Sequence, residues 1–228
     1  MEKMLNMKVR MISYSKPHAN IEAEGLTTTQ DLIAFCARVS NPSNQMNADT
    51  SEKLIRYLVK HKHWSPLEMA SVCMEVTTTR DIARQMLRHR SFSFQEFSQR
   101  YADPTKDLDF VLREARLQDK NNRQNSVETN DASTIAWWDA QQKFIIDRVK
   151  DIYSQAIERG IAKEQARAIL PEGNTVSRMY VNGTLRSWVH FIEVRSGNGT
   201  QKEHMEIAKE IACAIAEIFP MAGEFLEE

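Results

Sequence analysis

The chain has 228 residues, 42% of them hydrophobic, with 30 Lys+Arg against 31 Asp+Glu; these proportions exclude disordered and fibrous proteins and supply enough apolar material for a self-sufficient core. A net charge of −1 excludes a general nucleic-acid binder, whose footprint is a large positive excess, so any anion site must be local. Cys36, Cys73 and Cys213 form no CxxC pair and sit in apolar contexts, as core residues of a reducing compartment do. Apolar runs stop well short of 18 residues and MEKMLNMKVR lacks a signal-peptide h-region, so a cytoplasmic location with no membrane attachment is expected.

Helix signals dominate from the start. Over Thr28–Val39, Leu32, Phe35, Cys36 and Val39 recur at i, i+3, i+4, i+7 behind a Thr-rich start with Asp31 in the first turn. Leu54, Ile55, Leu58 and Val59 repeat that period over 51–62, with Asp49 and Glu52 at capping-box spacing. His61–Pro66 is a breaker, after which Val72, Met74 and Val76 alternate with Cys73, Glu75 and Thr77 as a half-buried strand does. A third helix is expected over Thr79–His89, an extended or looped piece over Ser91–Tyr101 and a short strand over Asp109–Leu112. Residues 119–133 are polar and of low complexity, a surface loop by composition.

Ile135, Trp138, Ile145, Val149, Ile152 and Ala156 line one side of a long helix over Ser133–Arg159, with Gly160 as its stop. It is expected to be the central helix. A short helix ends at Pro171, and Thr175–Val181 reads as a strand turning at Asn182-Gly183 into a helix that carries Leu185, Trp188, Val189 and Ile192. Past the turn Ser196–Gly199, Thr200 and Glu203 are expected to cap a last helix bearing Ile207, Ile211, Ile215 and Ile218. There is no internal repeat, and one domain over 1–228 is expected.

Two windows concentrate the chemistry. Arg80, Arg84, Arg88, Arg90 and Arg100 occupy the first without a lysine, and Arg167, Arg178, Arg186 and Arg195 the second. Guanidinium grips phosphate or a heterocycle edge bidentately, as ammonium does not, so oriented binding of phosphorylated small molecules is one reading. Solvated helix faces paired to acids are the other. The stretch Ser91–Arg100, which interleaves Phe, Ser, Gln, Glu and Arg just after a helix, favours binding, since few structural loops need that variety.

Arg88-His89-Arg90, seven residues and then Ser98, with Gln85, Glu96 and Arg100 around them, resembles the signature of the flavin-dependent thymidylate synthases. The resemblance extends over about residues 30–220, through Ala37–Ser40, His63-x-Ser65-Pro66-x-Glu68, Ala166-Arg167, Arg186-Ser187, Arg195 and Thr200–His204. It implies an α+β fold of helices around a small, mainly antiparallel sheet, the thymidylate synthase-complementing protein fold, assembled as a homotetramer with inter-subunit sites. It also implies conversion of dUMP to dTMP, with FAD as hydride carrier and NADPH and 5,10-methylenetetrahydrofolate as co-substrates. By the same resemblance the dUMP set is Gln85, Arg88, Glu96, Phe97, Ser98, Gln99, Arg100, Arg167 and Arg195, and the FAD set is Ser65, Arg88, His89, Arg90, Glu96, Thr184, Arg186 and His190.

His63 is expected as a donor in the site wall. His61 and His63 have no third ligand at suitable spacing, so no metal is expected. Glu68 is equally a helix-capping residue behind Ser65-Pro66. A serine nucleophile needs an adjacent base and an orienting group; Ser98 has neither beside it in sequence, so it is expected to position a ligand. With all three cysteines in apolar settings, activation of uracil is assigned to charge rather than to a thiolate, and Arg195 is the candidate catalytic group, stabilising charge along N3, C4 and O4.

Overall fold

A computed structural model describes residues 8–197 and 199–226. The elements in chain order are β1 (Lys8–Tyr14), α1 (Ala19–Glu22), α2 (Thr29–Ala37), α3 (Ser51–Lys60), β2 (Ser71–Thr79), α4 (Arg80–Met86), β3 (Ser93–Glu96), α5 (Pro104–Asp107), β4 (Arg116–Gln118), β5 (Ser126–Glu128), α6 (Ala132–Glu158), α7 (Lys163–Ala166), β6 (Val176–Thr184), α8 (Leu185–Ser196) and α9 (Lys202–Ala216), with 3₁₀ turns between them. The chain is α+β, as expected. Strands order as β1-β2-β6-β3, every pair antiparallel.

Period-2 alternation sets the layers. Val72, Met74 and Val76 pair with Gly183, Val181 and Met179, and all of these face the core. Cys73, Glu75 and Thr77 pair with Asn182, Tyr180 and Arg178 on the wetter face, the division typical of an antiparallel sheet covered on one side. The cover is α8 and α9, which bring Trp188, Phe191, Ile192, Ile207, Ile211 and Ile215 onto the sheet. Trp188 is fully buried and donates Nε1–H to the Val72 carbonyl at 3.0 Å, so its one polar atom is satisfied. Thr28 and Asp31 close a capping box on α2, and Asp31 also accepts from Ser51 at 2.9 Å, tying α2 to α3.

Several expectations need correction. Helix α6 is not central: only Gln142, Ile146 and Tyr153 of its residues are buried, in a small second core with Phe110, Ala166 and Leu170. Ile145 and Ile152, read as inward, are exposed, as are Trp137 and Phe144. On α2 the buried side is Ile33 and Ala34, and Val39 is exposed. Residues 126–128 pair with 116–118 as a hairpin, so the polar 119–133 segment is not all loop. The Asp109–Leu112 strand reduces to isolated bridge residues, Phe110 opposite Thr175 among them.

Asn182-Gly183 forms no turn, because β6 continues to Thr184 and passes directly into α8. Neither Asp49–Glu52 nor Thr200–Glu203 caps a helix; Glu203 is taken instead by two guanidiniums. Cys213 is exposed and Cys36 and Cys73 are half-buried, so none is a core cysteine. Strand β1 and helix α1 were not foreseen from sequence.

Gly183 is required by a close approach. A Cβ there would lie 2.3 Å from Cδ1 of Phe92, and Phe92 is already held against Trp188, Phe94, Phe191 and His89. Gly183→Ala is therefore expected to cost about 1–3 kcal/mol through overpacking. Urea titration should show Phe92→Leu recovering most of that loss in the double variant, a coupling that additive losses would contradict.

Candidate active site

Two strands deliver the site by running straight into helices. Thr79 ends β2 at the start of α4, and the Thr184 side chain N-caps α8 by accepting from Ser187 N–H at 3.3 Å. The C-terminal ends of α4 and α8 meet: Nε of Arg195 donates to Nε2 of His89 at 2.9 Å, and the His89 ring packs 5.0 Å from that of Phe191. An accepting Nε2 places the His89 proton on Nδ1. Burial, and then the neighbouring charges of Arg195, His190 and Arg88, push the His89 pKa down to about 4. The imidazole is therefore neutral at pH 7 and orients a guanidinium instead of repelling it. Arg195 is half-buried and lies in the last turn of α8, where the negative end of the helix dipole favours a cation.

The arginines of the two windows sort into two kinds. Arg80 pairs with Glu96 at 3.3 Å, Arg84 with Glu172 at 2.7 Å, Arg100 with Glu164 at 3.3 Å, and Arg186 with Glu68. Among the described residues no ion pair engages Arg88, Arg90, Arg167, Arg178 or Arg195. The acid-paired reading thus holds for the first subset, and the second is left without a carboxylate. Arginines that lack a carboxylate are the ones available to an anionic ligand.

The residues of the dUMP set fall into two groups on one chain. Gln85 and Arg195 sit with His204, His89 and Gln201 where α4, α8 and the start of α9 meet. The Glu96–Arg100 stretch runs on from the end of β3, with Glu96 accepting from Ser177 at 2.7 Å, Phe97 N–H donating to the Arg178 carbonyl and Arg100 reaching Glu164 of α7, the helix that precedes Arg167. Gln99 is buried. Ser98 Oγ accepts from the backbone N–H of Arg100 at 3.4 Å.

Of the FAD set, Arg186 and His190 line one cleft of about 410 Å³ with Trp64, Glu68, Ser91, Ser187, Val189 and Glu193. Ser65 opens the 3₁₀ turn Ser65–Met69 beside it and makes no capping bond, and Glu68 holds Arg186 instead of capping. His63 is exposed and packs on Tyr57 and His61, outside the residues that line the cleft. Among the described residues no group of three His, Cys, Asp or Glu is placed to hold a metal ion, and no helix is long and apolar enough to cross a membrane.

Sequence reasoning missed a buried polar cluster behind Gln85. Glu203 is hydrogen-bonded by Arg116 at 2.5 Å and ion-paired with Arg113 at 3.1 Å, and Arg113 also bonds Asp81 of α4 at 2.6 Å. Burial alone would raise the Glu203 pKa, but the bond from Arg116 and the charge of Arg113 outweigh it and hold the carboxyl below its ordinary range. His204 is fully buried with its pKa pushed down to about 3, chiefly by burial. One signal was present: Glu203 and His204 fall on the same rows of α9 as the buried Ile207 and Ala208, and polar groups at core positions need partners.

Residues 24–221 match the family model described as thymidylate synthase complementing protein. The chain is 47% identical to the flavin-dependent thymidylate synthase of Synechocystis over 97% of its own length and all of that protein. It is 44% identical to the probable flavin-dependent thymidylate synthase of Paramecium bursaria Chlorella virus 1, over 97% and 99% of the two chains. In fold it is similar to a UMP/dUMP methylase of Streptomyces cacaoi, with a TM-score of 0.80 and 24% identity over 98% and 95% of the chains.

The two neutral histidines set an acid limit. Their pKa values, about 4 and about 3 in the folded protein, lie below the ordinary value near 6.5. The unfolded chain therefore binds more protons, and stability falls as pH drops from about 6.5 toward 4. Between pH 6.5 and 5, above the carboxylate range, the urea midpoint should decline in the wild-type protein and decline less in His89→Asn. A flat wild-type profile over that interval would contradict neutral burial of these rings.

Proposed function

We propose, since the chain belongs to the thymidylate synthase complementing protein family and is a flavin-dependent thymidylate synthase, that its carboxylate-free arginines hold dUMP and that Arg195 activates the uracil ring. The observation that carries this reading is the half-buried Arg195 guanidinium, fixed by a neutral His89 and engaged by no acid among the described residues. Negative charge spread over N3, C4 and O4 makes uracil C5 nucleophilic. A guanidinium aimed at that edge in a water-poor site stabilises such charge without reorganising.

The remaining members of the set divide the other tasks. Arg88 and Arg167 meet the phosphate, Arg100 joins them by exchanging its exposed Glu164 partner for it, Ser98 positions the nucleotide, and the backbone from Glu96 to Arg100 frames it. Gln85 and Arg195 share no hydrogen bond or ion pair with that stretch among the described residues and have their own partners at His204 and His89, and a complete site takes the two groups from two copies of a homotetramer. The exposed apolar residues along α6, Trp137, Phe144, Ile145 and Ile152, support contact between copies.

FAD fits the cleft between the Ser65–Met69 turn and α8. Trp64 offers an indole face to a planar ring, His190, Ser91 and Ser65 offer donors to a diphosphate, and Arg186 joins them by exchanging its exposed Glu68 partner for it, with Arg88, His89, Arg90 and Thr184 on the neighbouring elements. When bound, the flavin supplies hydride transfer, and NADPH and 5,10-methylenetetrahydrofolate serve as reductant and one-carbon donor in the cytoplasm. The cysteines stay outside this chemistry. Burial pushes the Cys36 and Cys73 thiols up, the opposite of what a nucleophilic thiolate needs.

Release of the hydrogen label from C5-labelled dUMP tests the assignment. It should require flavin and folate and should survive in the triple variant Cys36→Ser, Cys73→Ser, Cys213→Ser; a folded, flavin-loaded triple variant without turnover would overturn the thiolate-free reading.

Arg195→Lys keeps the charge and loses the planar fork. Turnover at saturating dUMP should fall roughly 10²–10³-fold, about 2.7–4 kcal/mol at the barrier, with a smaller change in KM. A steep KM rise with turnover preserved would make Arg195 a phosphate clamp instead.

A further inference from the structure

Gln85 is the second residue of a hydrogen-bonded row that ends on a carboxylate. His204 Nδ1 lies 3.1 Å from Gln85 Oε1, Gln85 Nε2 lies 2.9 Å from Gln201 Oε1, and Gln201 Nε2 lies 3.0 Å from Glu203 Oε2. An ionised carboxylate only accepts. Gln201 must therefore turn its NH₂ toward Glu203 and its carbonyl toward Gln85. Gln85 in turn points its NH₂ at Gln201 and its carbonyl at His204, and His204 must carry its proton on Nδ1. One charged group at the end of the row fixes the direction of every bond in it. The carboxylate is kept ionised by Arg113 and Arg116, and at the other end His204 Nε2 is buried without a hydrogen-bond partner among the described residues.

From this geometry we propose that Gln201, Glu203 and His204 are positioning residues that lock the Gln85 carboxamide in one of its two flipped orientations, so that its second N–H is presented to an acceptor oxygen of the nucleotide. An unlocked amide would offer its carbonyl half of the time, which repels the same oxygen. The proposal rests on the reading that Gln85 contacts dUMP.

Calorimetric titration of dUMP into the flavin-loaded protein, with steady-state kinetics alongside, tests it. His204→Phe keeps an aromatic ring against Phe191 and removes the donor, whereas His204→Asn keeps an N–H near the Nδ1 position and removes the ring. If the donor matters, dUMP affinity should fall about 10-fold in His204→Phe, equivalent to about 1.4 kcal/mol, and stay within about 3-fold in His204→Asn. Gln201→Leu breaks the row at a half-buried position that makes no capping bond; it should weaken dUMP to the same degree and carries the test if His204→Phe does not fold.

Gln85→Ala should weaken binding as much, with no added loss when combined with Gln201→Leu. Weaker binding in His204→Asn than in His204→Phe, or normal binding in Gln201→Leu while Gln85→Ala binds poorly, would overturn the positioning role. Unchanged affinity in Gln85→Ala would remove Gln85 from the dUMP set, and the proposal with it.

Discussion

The antiparallel ladder between β2 and β6, nine paired residues from Ser71–Thr184 to Thr79–Val176, is the constraint on which the rest of the molecule depends. Each strand passes into a helix without a connecting loop, so the register of the ladder dictates where α4 and α8 begin. A slip of one residue would turn Met74, Val76, Met179 and Val181 away from α8 and α9, and it would also pull His89 and Arg195 apart. Packing and site geometry are thus enforced by one set of backbone bonds. Gly183 lies within that ladder, under the Phe92 ring, which places the loop after the Arg-His-Arg triplet directly on the sheet.

Electrostatically the site is an imbalance kept inside a nearly neutral chain. Arg80, Arg84, Arg100 and Arg186 are matched to acids, whereas Arg88, Arg90 and Arg195 around His89 are matched to none among the described residues. Two imidazoles that would add to the positive charge are kept neutral by burial and by the same arginines, so the helix end can hold its guanidinium without a carboxylate to quench it. Any carboxylate close enough to pair with Arg195 would compete with an anionic substrate for its donors.

The site was legible because its signature is local: Gln85, Arg88-His89-Arg90 and the Glu96–Arg100 stretch lie within one short span of sequence, and chemistry as dense as that is rare in structural loops. The sheet was half legible. Strands β2 and β6 alternate cleanly, whereas β1 is an edge strand whose residues are mostly exposed, so it lacks the apolar rhythm that betrays a strand. Expected caps failed where a stronger partner existed, as at Glu203, where two guanidiniums outcompete a backbone N–H. The apolar side of α6 misled for the opposite reason. Amphipathic period says that a face is covered, not by what, and the sheet is covered by α8 and α9 instead. The row through Gln201 was beyond reach because it joins residues more than a hundred positions apart.

Two hydrophobic clusters make up the described structure, a large one on the sheet and a small one under α6, and polar groups stitch them together. Arg113 is the principal stitch: its side chain reaches Asp81 and Glu203, and its backbone carbonyl accepts from Trp138 Nε1 and Gln142 Nε2 of α6 at 3.0 and 2.9 Å. Polar joints weaken under acid and denaturant differently from apolar ones, so the two clusters are expected to open as separate units in the isolated chain. Amide exchange through subglobal opening would then run faster along α6 than along β2 and β6. The same opening would withdraw Arg113 from Glu203, so that the carboxylate that orients Gln201 is controlled by a helix lying outside both arginine windows.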